Sequence, residues 1–448
     1  MKLPEKYNYL EIHPELERAL DVLTNTNDNM CIIGCAGSGK STFLKLITDR
    51  QVYPHNVITC CPTGIAAVNA STDGIKAQTM HSLFRLPPMS VIPVEKLKVC
   101  NDKVEMFRAL HTLIIDEISM VNSDLLTKIV HLLNMYRNNE PVRFIILGDP
   151  SQLSPILSTQ EERSYVDDMY PSKFFFGADI FNYMHVLHFT KIFRQKDAFF
   201  KEVLNRFRHD KATDADYAFL NQRVMPYNDF IKDRIAVYIA MTNRTVDRVN
   251  NRYVESNPNE EFTYIGEAKG YSEKEMIVPQ ELRLKVGVQI MLVANNHQEG
   301  YYNGLLGKVG ALYDDAIVVS TEKGSFTIKP FKWEKYAYTY DKSTKEIMAK
   351  IVGSYTQFPV KVAHAMTSHK TQGLTLENVY LDLERGTFSS GQLYTALSRV
   401  TSIEGLGLAR AICKRDSRLS SEVKKFYKSI DTINEVEYDD EEMEEMPF

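Results

Sequence analysis

The residues Gly34-Cys35-Ala36-Gly37-Ser38-Gly39-Lys40-Ser41 fit G-x-x-x-x-G-K-[ST] at every fixed position. Glycines at this spacing let backbone N–H groups curl around phosphate oxygens at a helix N-terminus. Gly34, Ala36, Gly37, Ser38, Gly39, Lys40, Ser41 and Thr42 are therefore the nucleotide-binding candidates. Lys40 would reach the β- and γ-phosphates, and the Ser41 hydroxyl would ligate Mg²⁺. A second landmark is Asp116-Glu117, paired carboxylates at the end of an apolar run. Asp116 would be the second Mg²⁺ ligand, and Glu117 would orient or deprotonate an attacking water. A third is Gln152, just past another apolar run, where a side-chain amide could sense the γ-phosphate. Together these residues describe Mg²⁺-assisted hydrolysis of a nucleoside triphosphate; a nucleotide kinase would need an acceptor site instead.

Such residues must sit at the carboxyl ends of parallel strands, where open α/β sheets place their ligands. The runs Met30–Ile33, His111–Ile115 and Val142–Leu147 read as those strands, and Ser41–Ile47 as the helix that follows the glycine loop. With 44% apolar and 25% charged residues, the 448-residue chain has the composition of a globular protein of about three domains. No apolar run approaches the ~20 residues needed to span a bilayer, and no secretory or transit signal opens the chain. This predicts a cytoplasmic protein with no membrane partner. The six cysteines show no zinc-like spacing with histidine and read as reduced core residues. The net charge of −5 hides an uneven distribution, because eight acids and no base lie between Glu435 and Glu445. The remainder is mildly basic, and the acidic end, 431–448, reads as a disordered tail.

The ordered set extends beyond these three sites. Cys-Pro-Thr-Gly-Ile-Ala-Ala (61–67), Thr-Met-His-Ser-Leu-Phe (79–84), Asp-Glu-Ile-Ser (116–119) and Gly-Asp-Pro-Ser-Gln-Leu (148–153) follow the glycine loop in turn. With it they resemble superfamily-one helicases. Phe193-Arg194-Gln195, the run Ala365–Thr375 and the run Gly391–Val400 are similar to motifs IV, V and VI. That set resembles the Pif-one family of 5′-to-3′ DNA helicases in a compact bacterial form, over about residues 30–410.

The resemblance implies two RecA-like α/β domains, parallel sheets flanked by helices, with a small inserted SH3-like β domain. Residues 1–180 would be the first domain, and 181–252 with 364–430 the second. Residues 253–363 would form the insert. Residues 86–106 break the α/β pattern, as either a small wedge or a long surface connection. Arg194 and Arg399 would be arginine fingers reaching the γ-phosphate from the second domain, and Gly373 would join the nucleotide site. Pro62, Thr63, His81, Thr242, Asn243, Thr367, His369 and Lys370 are the DNA-binding candidates, suited to sequence-independent phosphate contacts. Phe84 or Tyr394 could stack on bases. No glutamine precedes Gln51, and the region where the family reads adenine is Pro14-Glu15-Leu16-Glu17-Arg18-Ala19-Leu20, so base recognition stays open.

The expected cofactors are ATP and Mg²⁺, and the expected partners single-stranded and forked DNA, with quadruplex DNA as a further substrate. A monomer or a DNA-induced dimer is expected, at a bacterial nucleoid. Two other readings stay open: an RNA-directed helicase, and a nucleotide-switched binding module with negligible turnover.

Overall fold

The computed structural model describes residues 3–72, 75–87, 91–157, 159–193, 195, 197–296 and 298–430. Arg194 and the acidic tail lie outside the described residues. The apolar runs become strands: Asn29–Gly34, Val57–Cys61, Thr112–Ile115 and Arg143–Gly148 form the centre of a six-stranded parallel sheet. Ala77–Thr79 closes one edge and Met184–Phe189 the other. Alternate residues of each run face opposite layers. Cys31, Ile33, Leu113, Ile115 and Ile146 enter one core, and Met30, Ile32, Ile114, Ile145 and Leu147 the other. Burial on both faces explains why these runs are continuously apolar, as in sheets covered by helices on two sides.

After Met184–Phe189 the chain crosses to a second unit. Helix Ala198–Arg208 buries Phe200, Val203, Leu204 and Phe207 in that unit's core. Its sheet is also parallel, ordered Ala365–Thr367, Val237–Ala240, Val379–Asp382, Leu406–Leu408. Between its halves lies antiparallel structure, including a five-stranded sheet of Gln289–Leu292, Leu306–Leu312, Ile317–Thr321, Gly324–Ile328 and Val360–Val362. The α/β class with two parallel sheets and an antiparallel insert is thus present. The described part of 86–106 holds two short 3₁₀ turns and no strand, and buries Leu86, Leu97 and Met106 in the first core.

Two contacts bring later segments of the chain back to the first unit. The hairpin Phe331–Asp341/Glu346–Gln357 reaches across to it. Lys342 pairs with Glu105 at 2.7 Å, Asn56 Nδ2 donates to the Lys345 carbonyl at 3.1 Å, and Arg50 pairs with Glu346. Ile347 enters the first core, and the Tyr338 hydroxyl accepts the Thr59 N–H at 3.2 Å. The second contact is the helix 421–430. It was expected in the second domain, yet Val423, Phe426, Tyr427 and Ile430 pack in the first core, with Phe426 stacked on Phe176 at 4.5 Å.

Four of the cysteines are buried, but Cys100 is half-buried and Cys413 is exposed, so the expectation of six core thiols fails at those two. Among the described residues no group of His, Cys, Asp and Glu could hold a metal of the zinc type, and no helix is long and apolar enough to cross a membrane.

Candidate functional site

The glycine loop turns at Gly39, φ 94°, a left-handed conformation that L side chains rarely adopt, and the helix Lys40–Thr48 starts immediately after it. Residues Ala36 to Thr42 line a cavity of about 570 Å³ with Asp116, Glu117, Asp149, Gln152, Gly373 and Arg399. Lys40, Ser41, Asp116, Glu117, Gln152, Gly373 and Arg399, read from distant parts of the sequence, are therefore brought together in one cleft between the two parallel-sheet units. Gly34 lies at the strand end beneath it. The Lys40 ammonium donates to the Gly34 and Cys35 carbonyls at 2.7 and 2.8 Å. Burial lowers its pKa, opposed chiefly by the Asp149 carboxylate.

The carboxylate pair is held closely. Asp116 Oδ1 accepts the Glu117 N–H at 2.9 Å. Burial, and then the neighbouring Glu117, push the Asp116 carboxyl up. Glu117 itself has φ 56° and ψ 43°. That left-handed backbone costs a non-glycine residue on the order of 1 kcal/mol, and such strain collects where geometry serves function. Its Oε2 accepts the Gln372 Nε2 at 3.0 Å, a contact between the two units.

Arg399 is 1% exposed yet lines the cavity. Its Nε donates to the Thr395 carbonyl at 2.9 Å and its Nη1 faces the Leu374 carbonyl at 3.4 Å. Gln195, beside the undescribed Arg194, donates to the Ser398 and Val400 carbonyls at 3.3 and 3.4 Å, so this segment braces the turn that carries Arg399.

Sequence reasoning missed the hub behind Gln152. Asp149 is 1% exposed and accepts from Gln152 Nε2 at 3.1 Å, Arg208 Nε at 3.2 Å, Tyr394 Oη at 3.2 Å and Tyr427 Oη at 3.3 Å. Burial alone would raise its carboxyl; Arg208, and then Lys40, pull it below its ordinary range. A signal existed: Phe200, Leu204 and Arg208 fall at i, i+4 and i+8, which places an arginine in line with the buried stripe of its helix. Tyr394 is therefore part of this buried network, and Phe84, 3% exposed and stacked on Phe107 at 5.1 Å, is core. Both rings are buried and present no face for stacking. Gly391 shows how tightly the units meet: a Cβ there would lie 2.1 Å from the Gln152 carbonyl oxygen.

Tyr9, Leu10, Glu11, His13, Leu16 and Phe193 line the outer end of the nucleotide cavity. His13 and Phe193 pack with ring centroids 5.4 Å apart. Of the region without the expected glutamine only Leu16 lines the cavity, beside Tyr9, Leu10, Glu11 and His13 just upstream of it.

A second cavity, about 500 Å³, lies on the other side of the carboxylates. Thr63, His369 and Lys370 line it with Asn69, Asn295, Tyr302, Asn303 and Gln372. Of the proposed DNA contacts, only those three line it. Pro62 adjoins Thr63, and Thr367 is buried with its hydroxyl facing the Lys370 N–H. His81 sits in the short helix Met80–Phe84, while Thr242 caps the helix Asn243–Glu255 and is bonded to Glu384 at 3.1 Å. The asparagines and Tyr302 were missed because each is unremarkable in its local sequence.

Two parallel-sheet units that close one nucleotide cleft, with an arginine from the second facing the glycine loop of the first, define a P-loop motor of the helicase type. Sequence profiles described as an AAA domain and as the 2B domain of the DNA helicase Pif1 match residues 14–225 and 273–312. The ATP-dependent DNA helicase Pif1 of Bdellovibrio bacteriovorus is 28% identical over 89% of this chain and 88% of its own length. The crystal structure of Bacteroides sp. Pif1 with ADP-AlF4 is 32% identical, covers 94% of this chain and 98% of its own, and superimposes with a TM-score of 0.86. The Bacteroides Pif1 structure bound to single-stranded DNA is also 32% identical, with a TM-score of 0.67. The chain belongs to the Pif1 helicase family.

Proposed function

We propose that this chain is a Mg-ATP-driven DNA helicase that moves 5′-to-3′ along a single strand and separates the duplex ahead of it. The observation that carries this reading is the pair of cavities sharing one wall: Ser41, Asp116, Glu117 and Gly373 line both. A nucleotide in the first and a strand in the second would be read by the same residues.

In the first cavity, Lys40 exchanges its loop carbonyls for β- and γ-phosphate oxygens. Glu117 takes a proton from the attacking water, Gln152 faces the γ-phosphate, and Arg399 offsets the charge that grows as the phosphoryl group leaves. Ser41 and Asp116 suit Mg²⁺, since a hard cation would relieve the carboxyl repulsion that pushes Asp116 up. When bound, Mg²⁺ neutralises phosphate charge. In the second cavity Thr63, His369 and Lys370 hold backbone phosphates, which binds a strand without reading its sequence.

Residues 1–180, with strand Met184–Phe189 and helix 421–430, act in this reading as the first motor domain, and the rest of 181–252 with 364–420 as the second, around the insert 253–363. Its substrates are single-stranded and forked DNA, and quadruplex DNA as an extension. It works as a monomer or a DNA-induced dimer in a bacterial cytoplasm. DNA is favoured over RNA because the Bacteroides relative was crystallised on single-stranded DNA. The test is ATP turnover and strand separation on 5′-tailed, 3′-tailed and RNA–DNA hybrid duplexes. Preference for the 5′-tailed DNA is expected; a 3′ tail or an RNA track serving better would overturn the polarity or the substrate.

A further inference from the structure

We infer that Gln372 is a positioning residue that restrains Glu117 until a strand engages the turn 367–373. The inference rests on the reading of Glu117 as the hydrolytic base and of the second cavity as the strand site.

The turn 367–373 borders both cavities. His369 and Lys370 line the strand cavity, and Gly373 lines both cavities. The Thr371 carbonyl faces Arg399 Nη1 at 3.5 Å. Between them Gln372 Nε2 donates to Glu117 Oε2 at 3.0 Å. Its other head atom, Oε1, is buried without a hydrogen-bond partner among the described residues.

Gln78 shares this pattern, with a buried unpartnered Oε1 and an Nε2 that donates to Ser82 Oγ at 2.9 Å, but three structural amides of the second unit differ. Gln289 Nε2 donates to two carbonyls, of Ala236 and Ala363, each at 2.7 Å. Gln392 uses both ends, accepting the Phe388 N–H at 3.1 Å and donating to Ser368 Oγ at 3.3 Å. Gln357 likewise donates to the Tyr264 carbonyl and accepts the Phe358 N–H. Each of these three makes two hydrogen bonds through its head group, which suits a brace because a buried unpaired amide atom is costly. Gln372 instead spends its only head-group bond on the carboxylate that must accept a proton from water.

A carboxylate oxygen that already accepts an amide hydrogen is a weaker acceptor for another, and the bond also fixes the rotamer of a residue on a strained backbone. A strand gripping His369 and Lys370 pulls on the same turn, three and two residues away. Displacement of Gln372 then releases Oε2 on the nucleotide side. Strand binding becomes turnover without any group travelling between the cavities, since the wall itself carries the signal.

The test uses the full chain and a polythymidine strand. Turnover is measured without strand and at saturation, with KM for ATP and thermal stability recorded beside it. Gln372→Met keeps the side-chain volume and removes the donor, and Gln372→Ala removes both. Both variants are expected to raise strand-free turnover by about tenfold, the factor one charge-assisted hydrogen bond contributes. Strand-saturated turnover and KM for ATP should stay within about twofold, so the stimulation ratio falls by the same factor. If strand-free turnover is unchanged or falls in Gln372→Met, the restraint does not exist. A loss of both turnovers together with melting temperature would make Gln372 a brace. Wild-type chain that hydrolyses ATP without any strand response would remove the underlying reading, and this inference with it.

Discussion

Arg399 is held by carbonyls of its own domain while its side chain borders the nucleotide cavity, the placement that its proposed finger role requires. Arg399→Ala should lower strand-stimulated turnover by roughly 10³–10⁵-fold, the range such arginines contribute to phosphoryl transfer. Arg399→Lys should recover little, because an ammonium cannot present a planar fork to two oxygens. Binding of a fluorescent nucleotide should change far less than turnover. Unchanged turnover per folded molecule in Arg399→Ala would reduce it to a structural residue. Asp149 belongs to stability more than to chemistry. Asp149→Asn leaves Arg208 buried without its counter-charge, and breaking such a pair costs about 3–5 kcal/mol. Denaturant unfolding should register that loss, and pairing Asp149→Asn with Arg208→Met should recover part of it.

At the scale of elements, the strand–loop–helix at residues 29–48 was legible because its chemistry is consecutive in sequence. Alternation across the central strands was hidden, since both faces are buried and the runs read as uniformly apolar. The second cavity was half legible: Thr63, His369 and Lys370 sit in recognisable segments, whereas Asn69, Asn295 and Asn303 meet only through folding. His364, just before Ala365–Thr367, offers a pH test of one such junction. Its Nε2 accepts the Gln289 N–H at 3.1 Å, and the Tyr253 ring stacks on it at 4.3 Å. Burial, with a smaller part from Lys308, lowers its pKa to about 4 from the ordinary 6.5. The folded state therefore prefers neutral His364, and between those two values the unfolded chain binds a proton that the folded chain does not. Stability is complete above pH 6.5 and is lost as pH falls toward 4. Melting curves across that window should show a shallower acid loss for His364→Gln, which cannot titrate but keeps an acceptor; an identical slope would place the acid sensitivity elsewhere.

At the scale of the molecule, charge and the chain's final helix make opposite predictions for two truncations. Removing 435–448 takes away the eight acids and should leave unwinding intact, with strand affinity slightly higher. Removing 421–448 also strips Phe426 from Phe175 and Phe176, and burial loss of one such aromatic costs about 3–5 kcal/mol. The second truncation should therefore unfold at much lower denaturant or fail to fold. Strand binding by the full chain should weaken with salt at a log–log slope near −0.7 per phosphate contact and vary little with base sequence. A flat salt response would argue against a phosphate-held strand. The net charge could not have indicated this, because eight acids without a base between Glu435 and Glu445 mask a mildly basic remainder.

The return of the hairpin and the final helix to the first unit has a further consequence, for recombination between relatives. A chimera joined near residue 190 would look like a clean exchange of one motor half for another. It would in fact import a foreign hairpin tip against Arg50, Asn56 and Glu105, and a foreign closing helix against Phe175 and Phe176. Successful exchanges should then need three compatible junctions instead of one, so the two halves are expected to have been inherited together rather than shuffled.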